Sequence, residues 1–376
     1  MHHAHHSAAR CLQPLADQGE DLLLIDEIEM VRRLVEQQYV RVLQDEPREV
    51  DARFLPAGER VEKLLAHGEV RLFCGLSSMQ YLCAKIGISY ENACIRSLHG
   101  RKGDLLGAVS YHGKTFALTG GDNNVQFVCR SLADAGLGGV QVYIGENLGS
   151  PGERVLTGRA SELAEISCAD LAVMLVLNPN SANPFEPVRD EMLTRAKVPM
   201  TKEEVRWVSV ARLGVQPGDT VWDIGAGTGA VTFELARKAM DGAVFAVERS
   251  AEAVELIAQN RQKLGGFNVH IVPDHAPEVL ADLPKPNCVF VGGSGGNMRK
   301  IIETTLTKNP KARIVVNAIA LETLQETQRL FAEFGLQQVE ITQLSAARGK
   351  SVGCYTMMTA NNPVFILSGK GAKYGE

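Results

Sequence analysis

Short apolar runs alternate along this chain with longer stretches whose apolar positions recur at helical spacing. That alternation predicts an α/β fold. In the first half, "DLLLID" (21–26) reads as a strand, and residues 27–38 carry helical spacing. "EVRLFCG" reads as a strand ending at Gly75, and "SSMQYLCAKIG" as a helix that Ser77 or Ser78 can cap. "KTFALTGG" is a strand, "VQFVCRSLADAG" a helix, and "VQVYIGENLG" and "DLAVMLVLN" are two more strands.

Residues 178–193, "NPNSANPFEPVRDEML", break this rhythm with prolines and asparagines. Such composition suits an interdomain connection and divides the chain into units 1–180 and 181–376. Beyond it, "TKEEVRWVSVARLG" reads as a helix with Thr201 as N-cap and Glu204 completing a capping box. Then come strands at "GDTVWDIG", "GAVFAVE", "NVHIV", "NCVFVGG" and "ARIVVNA", with helices between them. "LQQVEITQL" and "NPVFILSG" are late strands. The pattern predicts a mostly parallel sheet with helices on both faces.

Composition changes this picture little. At 376 residues, each unit is long enough to bury its own core. The net charge of −5 is spread without a basic stripe, which does not favour nucleic acid. The eight cysteines form no CxxC pair, and no secretory signal is visible. They read as free core thiols of a cytoplasmic protein. No apolar run approaches the roughly 20 residues of a membrane helix. The histidines His2, His3, His5 and His6 form a terminal cluster but no built site, and no metal-ligand spacing occurs elsewhere.

The chemistry concentrates at "VWDIGAGTGA". Gly225, Gly227 and Gly229 let the backbone turn tightly and approach a ligand with no Cβ in the way. A purely structural strand-to-helix turn is the alternative. Asp223 precedes the turn, and Glu248 ends the next strand, where an acid can accept hydrogen bonds from ribose hydroxyls. The GxGxG spacing differs from the dinucleotide GxGxxG. It leaves room for S-adenosylmethionine (SAM), which has no phosphate.

"VWDIGAGTGAVTFELAR" followed by "AVFAVERS" resembles the SAM-binding core of class I Rossmann-like methyltransferases. "PMTKEEVR", "VERSAEAVELIAQN", "FVGGSGGNM" and "RIVVNAIALETL" resemble, in order, the decarboxylating C15-methyltransferases of cobalamin biosynthesis, over about residues 186–376. "GLSSMQYLCAKIG", "CIRSLHGRKGD" and "VYIGENLGSPGERVLTG" resemble the C5-methyltransferases of the same route, which are tetrapyrrole methylases. Residues 1–74 lack the GxGPG-like and GDP-containing loops of that second family. The N-terminal tetrapyrrole-methylase-like domain is therefore expected to be truncated at its start.

The resemblance implies methylation of a precorrin or cobalt-precorrin at C5 and C15, with decarboxylation of the C12 acetate and SAM as cofactor. An alternative keeps only the C15 and decarboxylation activity and makes the N-terminal unit a binding or assembly module. An RNA methyltransferase would need a basic face or an aromatic platform. The related C-terminal domains form homo-oligomers, and the same is expected here.

By resemblance, the glycines, Asp223, Glu248 and Thr201 hold SAM, with Asp274, His275 and Ala276 beside the adenine and Ser77, Ser78 and Gln80 at a second SAM site. Substrate contacts are expected from Gly292, Gly293, Gly295, Gly296 and Asn297, whose amides could cradle a carboxylate, and from Arg101, Glu146 and Asn147. Asn317, Arg348, Lys350, Ser97 and His99 are the candidate catalytic residues. Each has a plainer alternative: a loop-organising amide for Asn317, a solvated basic turn for Arg348 and Lys350, a satisfied turn residue for His99.

Overall fold

The computed structural model describes residues 38–42, 70–99 and 103–372. The terminal histidines, the "DLLLID" run, Gly100 and Arg101 lie outside them. So does the helix expected over 27–38, except for Gln38, which opens strand β1 (Gln38–Val42). β1 pairs antiparallel with β2 (Val70–Cys74).

The first unit then runs α1 (Ser78–Ile86), β3 (Cys94–Ser97), α2 (Leu106–Tyr111), β4 (Lys114–Leu118), α3 (Val125–Leu132), β5 (Gln141–Glu146), β6 (Arg154–Arg159), α4 (Ala160–Leu163) and β7 (Ala172–Leu177). Its five strands order β3-β4-β7-β5-β6, parallel only between β3 and β4. The pattern missed β3 and β6. β3 is only four residues long, and β6 is an edge strand with no fully buried residue. The helix expected through Gly136 stops at Leu132. A wider turn follows, in which Gly136 takes φ 100°.

The second unit comprises α5 (Glu203–Leu213), β8 (Thr220–Ile224), α6 (Ala230–Lys238), β9 (Ala243–Val247), α7 (Ala251–Leu264), β10 (Val269–Val272), β11 (Cys288–Val291), α8 (Met298–Lys308), β12 (Arg313–Ala318), α9 (Leu321–Glu333), β13 (Gln337–Leu344), β14 (Ala347–Val352), β15 (Tyr355–Ala360) and β16 (Val364–Lys370). Seven strands order β10-β9-β8-β11-β12-β16-β13. The first five are parallel, and β16 runs antiparallel between β12 and β13. This is a Rossmann-like sheet with one antiparallel strand wedged near its edge. Trp222, Phe290, Phe233 and Phe331 are fully buried around it. β14 and β15 pair only with each other, so the stretch expected as a basic turn is a hairpin with an exposed apolar face.

Thr201 does not cap α5. The helix begins at Glu203, Lys202 occupies the cap position, and no side chain bonds there. The Thr201 carbonyl accepts from Arg206 instead, and Glu204 turns outward to Arg348. The hydrogen bonds from the Arg348 guanidinium hold the Glu204 carboxyl below its ordinary pKa.

The two units pack together through α2. Gly107 lies so close to the Met240 carbonyl that no Cβ fits between them. Ser110 accepts hydrogen bonds from the Ala182 and Phe267 amides, both at 2.9 Å, and Arg96 pairs with Asp241 at 2.6 Å. Met240 and Asp241 precede β9, so the first unit docks beside the amino ends of the parallel strands. Among the described residues, the carboxyl ends stay clear for a ligand.

Candidate active site

Open α/β sheets bind ligands outside the carboxyl ends of their strands, where the strand order reverses. Here that point lies between neighbours β8 and β11. Two glycine-rich turns leave these strands side by side. A Cβ on Gly225 would sit 2.8 Å from both the N and the O of Gly293. Gly225 also takes φ 73°, a left-handed conformation that glycine adopts without strain. The first turn is anchored by the Gly225 and Ala226 amides, which donate to the Val247 carbonyl at 3.0 and 3.2 Å. The second is anchored by the Gly292 amide, which donates to the Ile224 carbonyl at 2.9 Å.

Between them opens a cleft of about 1150 Å³. Its walls contain Asp223, Gly225 to Thr228 of the glycine turn, Glu248, Asp274 to Ala276, Gly292 to Met298, Asn317 and Thr201. The sequence-predicted set for the second unit therefore converges on one place, with three exceptions: Arg348, Lys350 and Gly229, which faces the core residues Phe233 and Ile257 instead.

Of the acids in the cleft walls, two flank the first glycine turn. Glu248 accepts from the Gly227 amide at 2.8 Å through one oxygen and from the Ser250 amide at 2.9 Å through the other. This fixes the carboxylate at the end of β9. Asp223 is fully buried and accepts from the Thr232 hydroxyl at 2.5 Å. Burial pushes its carboxyl up to about 7, and the negative charge of Glu248 acts in the same direction. Among the described residues, Asp223 Oδ1 and Thr228 Oγ1 are buried polar atoms without a partner. Buried polar groups are ordinarily bonded, so these two are open valences at the cleft.

His275 lies on the exposed rim between Asp274 and Glu278, with a ring nitrogen 3.2 Å from each carboxylate. Asn297 joins the rim to the second glycine turn by donating to the Ala276 carbonyl at 3.4 Å. The carboxylate cradle expected there is narrower than the sequence suggested. The amides of Gly292, Gly293 and Asn297 already bond to backbone carbonyls, which leaves the stretch around Gly295 and Gly296. Those two glycines have φ of 57° and 86°.

Asn317 ends the opposite wall. Its Oδ1 accepts from Ser209 Oγ at 2.9 Å, and its buried Nδ2 has no partner among the described residues. Lys197 and Arg249 line the same cleft, as do Asn361 and Asn362. Residue types alone did not single these out, because nothing in their local sequence marks them as cleft residues. Arg348 is committed elsewhere. It forks onto both Glu204 oxygens at 2.6 Å and reaches Asp190 at 3.0 Å. Lys350 sits on the exposed hairpin, away from the cleft lining.

The candidates of the first unit do not converge in this way. Ser77 Oγ and Gln80 Oε1 each accept from the other's backbone amide in a capping box at the start of α1, which Ser78 opens. Glu146 is buried, with Arg154 at 2.5 Å and the Ala169 amide at 2.8 Å on its carboxylate. The Arg154 guanidinium holds this carboxyl below its ordinary pKa. Asn147 forms a left-handed turn residue at φ 48°. Ser97 ends β3, and the His99 ring packs directly on Gly120. Among the described residues no cluster of His, Cys, Asp and Glu could hold a metal, and no helix is long and apolar enough to cross a membrane.

Comparison with known proteins agrees with this geometry. Residues 194–370 match the family described as "Precorrin methyltransferase domain". A Pyrobaculum calidifontis protein named "Probable cobalt-precorrin-6B C(15)-methyltransferase (decarboxylating)" is 41% identical over 184 residues, covering 48% of this chain and 94% of that protein. The cobalt-precorrin-6B C(15)-methyltransferase (decarboxylating) of Salmonella typhimurium is 33% identical over 183 residues, covering 48% and 94%. The match to the precorrin-6Y C(5,15)-methyltransferase [decarboxylating] of a Sinorhizobium species reaches into the first unit. It is 29% identical over 282 residues, covering 72% of this chain and 67% of that protein. The second unit has the Rossmann-like fold of SAM-dependent methyltransferases. The chain belongs to the family of decarboxylating precorrin methyltransferases.

Proposed function

We propose that this enzyme uses SAM to methylate a precorrin-6B-type tetrapyrrole at C15 and removes carbon dioxide from its C12 acetate. The observation that carries the reading is the pairing of a cleft with open polar valences and a Glu248 carboxylate held at the end of β9. SAM fits these residues. Asp223 Oδ1 and Thr228 Oγ1, buried without a partner among the described residues, offer partners for the charged and polar atoms of its amino-acid moiety. Glu248 receives the ribose hydroxyls, Gly225, Gly227 and Gly229 pass the methionine portion, and Asp274, His275 and Ala276 flank the adenine. Bound there, SAM supplies an electrophilic methyl carbon.

The chain's own work is alignment. Lys197, Lys202 and Arg249 attract the substrate's carboxylates. Asn317 Nδ2 and the Gly295–Gly296 turn add donors from the opposite wall. Together they hold the macrocycle so that C15 faces the methyl donor. When the acetate loses carbon dioxide, the electron pair of the broken bond passes into the macrocycle. The protein has only to orient the acetate in a cleft shielded from water.

The unit of residues 1–180 corresponds on this reading to a tetrapyrrole-methylase-like C5-methyltransferase domain, and 181–376 to the C15-methyltransferase. The sequence match that extends into the first unit supports it. A second reading, with C15 chemistry alone and a docking role for the first unit, is favoured by Ser77, Gln80 and Glu146, whose side-chain oxygens accept from their own unit. A homo-oligomer fits the exposed Val352, Tyr355, Met357 and Met358 of the hairpin, and a cytoplasmic setting fits the free thiols.

Incubation with SAM and precorrin-6B, or its cobalt form, separates these readings by product mass. Two added methyls with loss of carbon dioxide support both units. One methyl with that loss leaves the second unit alone. An unchanged mass, with SAM bound, contradicts the proposal.

A further inference from the structure

The cleft wall formed by residues 197–202 has no regular secondary structure, yet it must keep its place beside the glycine turn. Asn260, fully buried on α7, joins the two. Its Oδ1 accepts from the Thr194 amide at 2.8 Å. Its Nδ2 donates to the Thr194 carbonyl at 2.8 Å and to the Thr228 carbonyl of the glycine turn at 2.9 Å. One amide side chain thus satisfies three backbone groups on two segments. Further along the wall, the Pro199 carbonyl lies 3.2 Å from where a Gly227 Cβ would stand, so the segments also touch directly. Between these points Ala196 takes φ 46°, a left-handed conformation that a non-glycine residue holds only when its surroundings impose it. At the far end the fully buried Arg206 donates to the Thr201 carbonyl at 2.6 Å and to Asp190 at 3.1 Å.

We infer that Asn260 is a positioning residue that pins the 194–202 wall to the cofactor turn. It touches neither ligand. It sets the gap between the wall that carries Lys197 and Lys202 and the turn that passes SAM. This rests on the reading of the cleft as the SAM and tetrapyrrole site, but the pin itself can be tested with no ligand present.

Arg195 and Lys197 are exposed trypsin sites on the wall. Full-length wild type, Asn260→Ala and Asn260→Asp are digested under native conditions. The expected result is cleavage after Arg195 or Lys197 about ten-fold faster in Asn260→Ala, the loss of two to three modest hydrogen bonds. Cleavage elsewhere should keep its rate, and Asn260→Asp, whose second oxygen faces the Thr194 and Thr228 carbonyls, should release the wall at least as far as Asn260→Ala. Thr194→Pro removes that amide from the surface side and should act like Asn260→Ala if the buried variant fails to fold. In the second arm, SAM titration should give an affinity about ten-fold weaker in Asn260→Ala, and turnover should show a raised tetrapyrrole KM with kcat within about two-fold. Equal cleavage at the wall in a folded Asn260→Ala, or in Thr194→Pro where Asn260→Ala is cleaved faster everywhere, overturns the inference, as does unchanged SAM affinity. Wild type that fails to bind SAM overturns the functional reading, and the digestion still decides on the pin.

Discussion

The two units handle their polar groups in opposite ways. In the second unit, acids and amides converge at the carboxyl ends of parallel strands, and several buried polar atoms there lack partners. In the first unit, Glu146, Ser77 and Gln80 spend their hydrogen-bonding capacity on neighbouring backbone and on Arg154. A residue type that suits catalysis can equally suit holding a loop. Whether its valences are open distinguishes the two, and sequence does not reveal that.

The largest expected effect tests the open side of this comparison. Glu248→Ala removes the carboxylate assigned to the ribose and should weaken SAM binding by about 100-fold, the scale of lost charged hydrogen bonds. Calorimetric titration with SAM checks it. Near-normal affinity at the second unit would make Glu248 only an anchor for the Gly227 amide.

Next comes the closed side. Glu146→Ala should lower stability by about 1–2 kcal/mol, discounted because half-exposed Arg154 regains water, and leave SAM affinity at the second unit unchanged. The Arg154 guanidinium holds the Glu146 carboxyl low, so its contribution is present above the ordinary glutamate range and is lost as pH falls through the depressed value. Urea unfolding of wild type and variant should therefore converge toward acid pH. A loss of C5 methylation with unchanged stability would instead make Glu146 a substrate contact.

A subtler effect comes from Asp223. Its folded-state pKa of about 7 lies above that of an unfolded aspartate, so the bound proton stabilises the fold at low pH and that contribution is lost as pH rises through 7. Asp223→Asn should gain stability relative to wild type at pH 8. The cationic SAM prefers the ionised carboxylate, so wild-type affinity should rise by several-fold from pH 6 to pH 8 and the variant's should stay flat. Parallel pH profiles would remove Asp223 from the site.

The smallest effect concerns Arg348. With its guanidinium forked onto Glu204, Arg348→Ala should alter the KM for the tetrapyrrole by less than about three-fold, as expected for a partly exposed structural pair. A much larger rise in KM, with unchanged folding, would restore it as a substrate clamp.

Much of the second unit was legible in the sequence. Buried parallel strands leave continuous apolar runs, and the glycine turn with Glu248 carries its own chemistry. The cleft residues Asp223, Glu248, Asp274 and Asn317 all emerged from their places at strand ends. The start of α5 did not. The TKEE pattern fits a capping box, but Glu204 is drawn away by Arg348, which lies far along the chain. Arg206 and Asn260 each end a family-like segment, yet their roles depend on contacts with distant backbone that no local pattern encodes. The hairpin was missed because its exposed strands lack the inward apolar alternation that marks a strand.

A crystal structure of the SAM complex decides the assignment of the cleft. SAM is expected between the glycine turns of β8 and β11, with both ribose hydroxyls on the Glu248 carboxylate and the amino-acid moiety toward Asp223. SAM bound outside this cleft, or with its adenine where the methionine portion should lie, would contradict it.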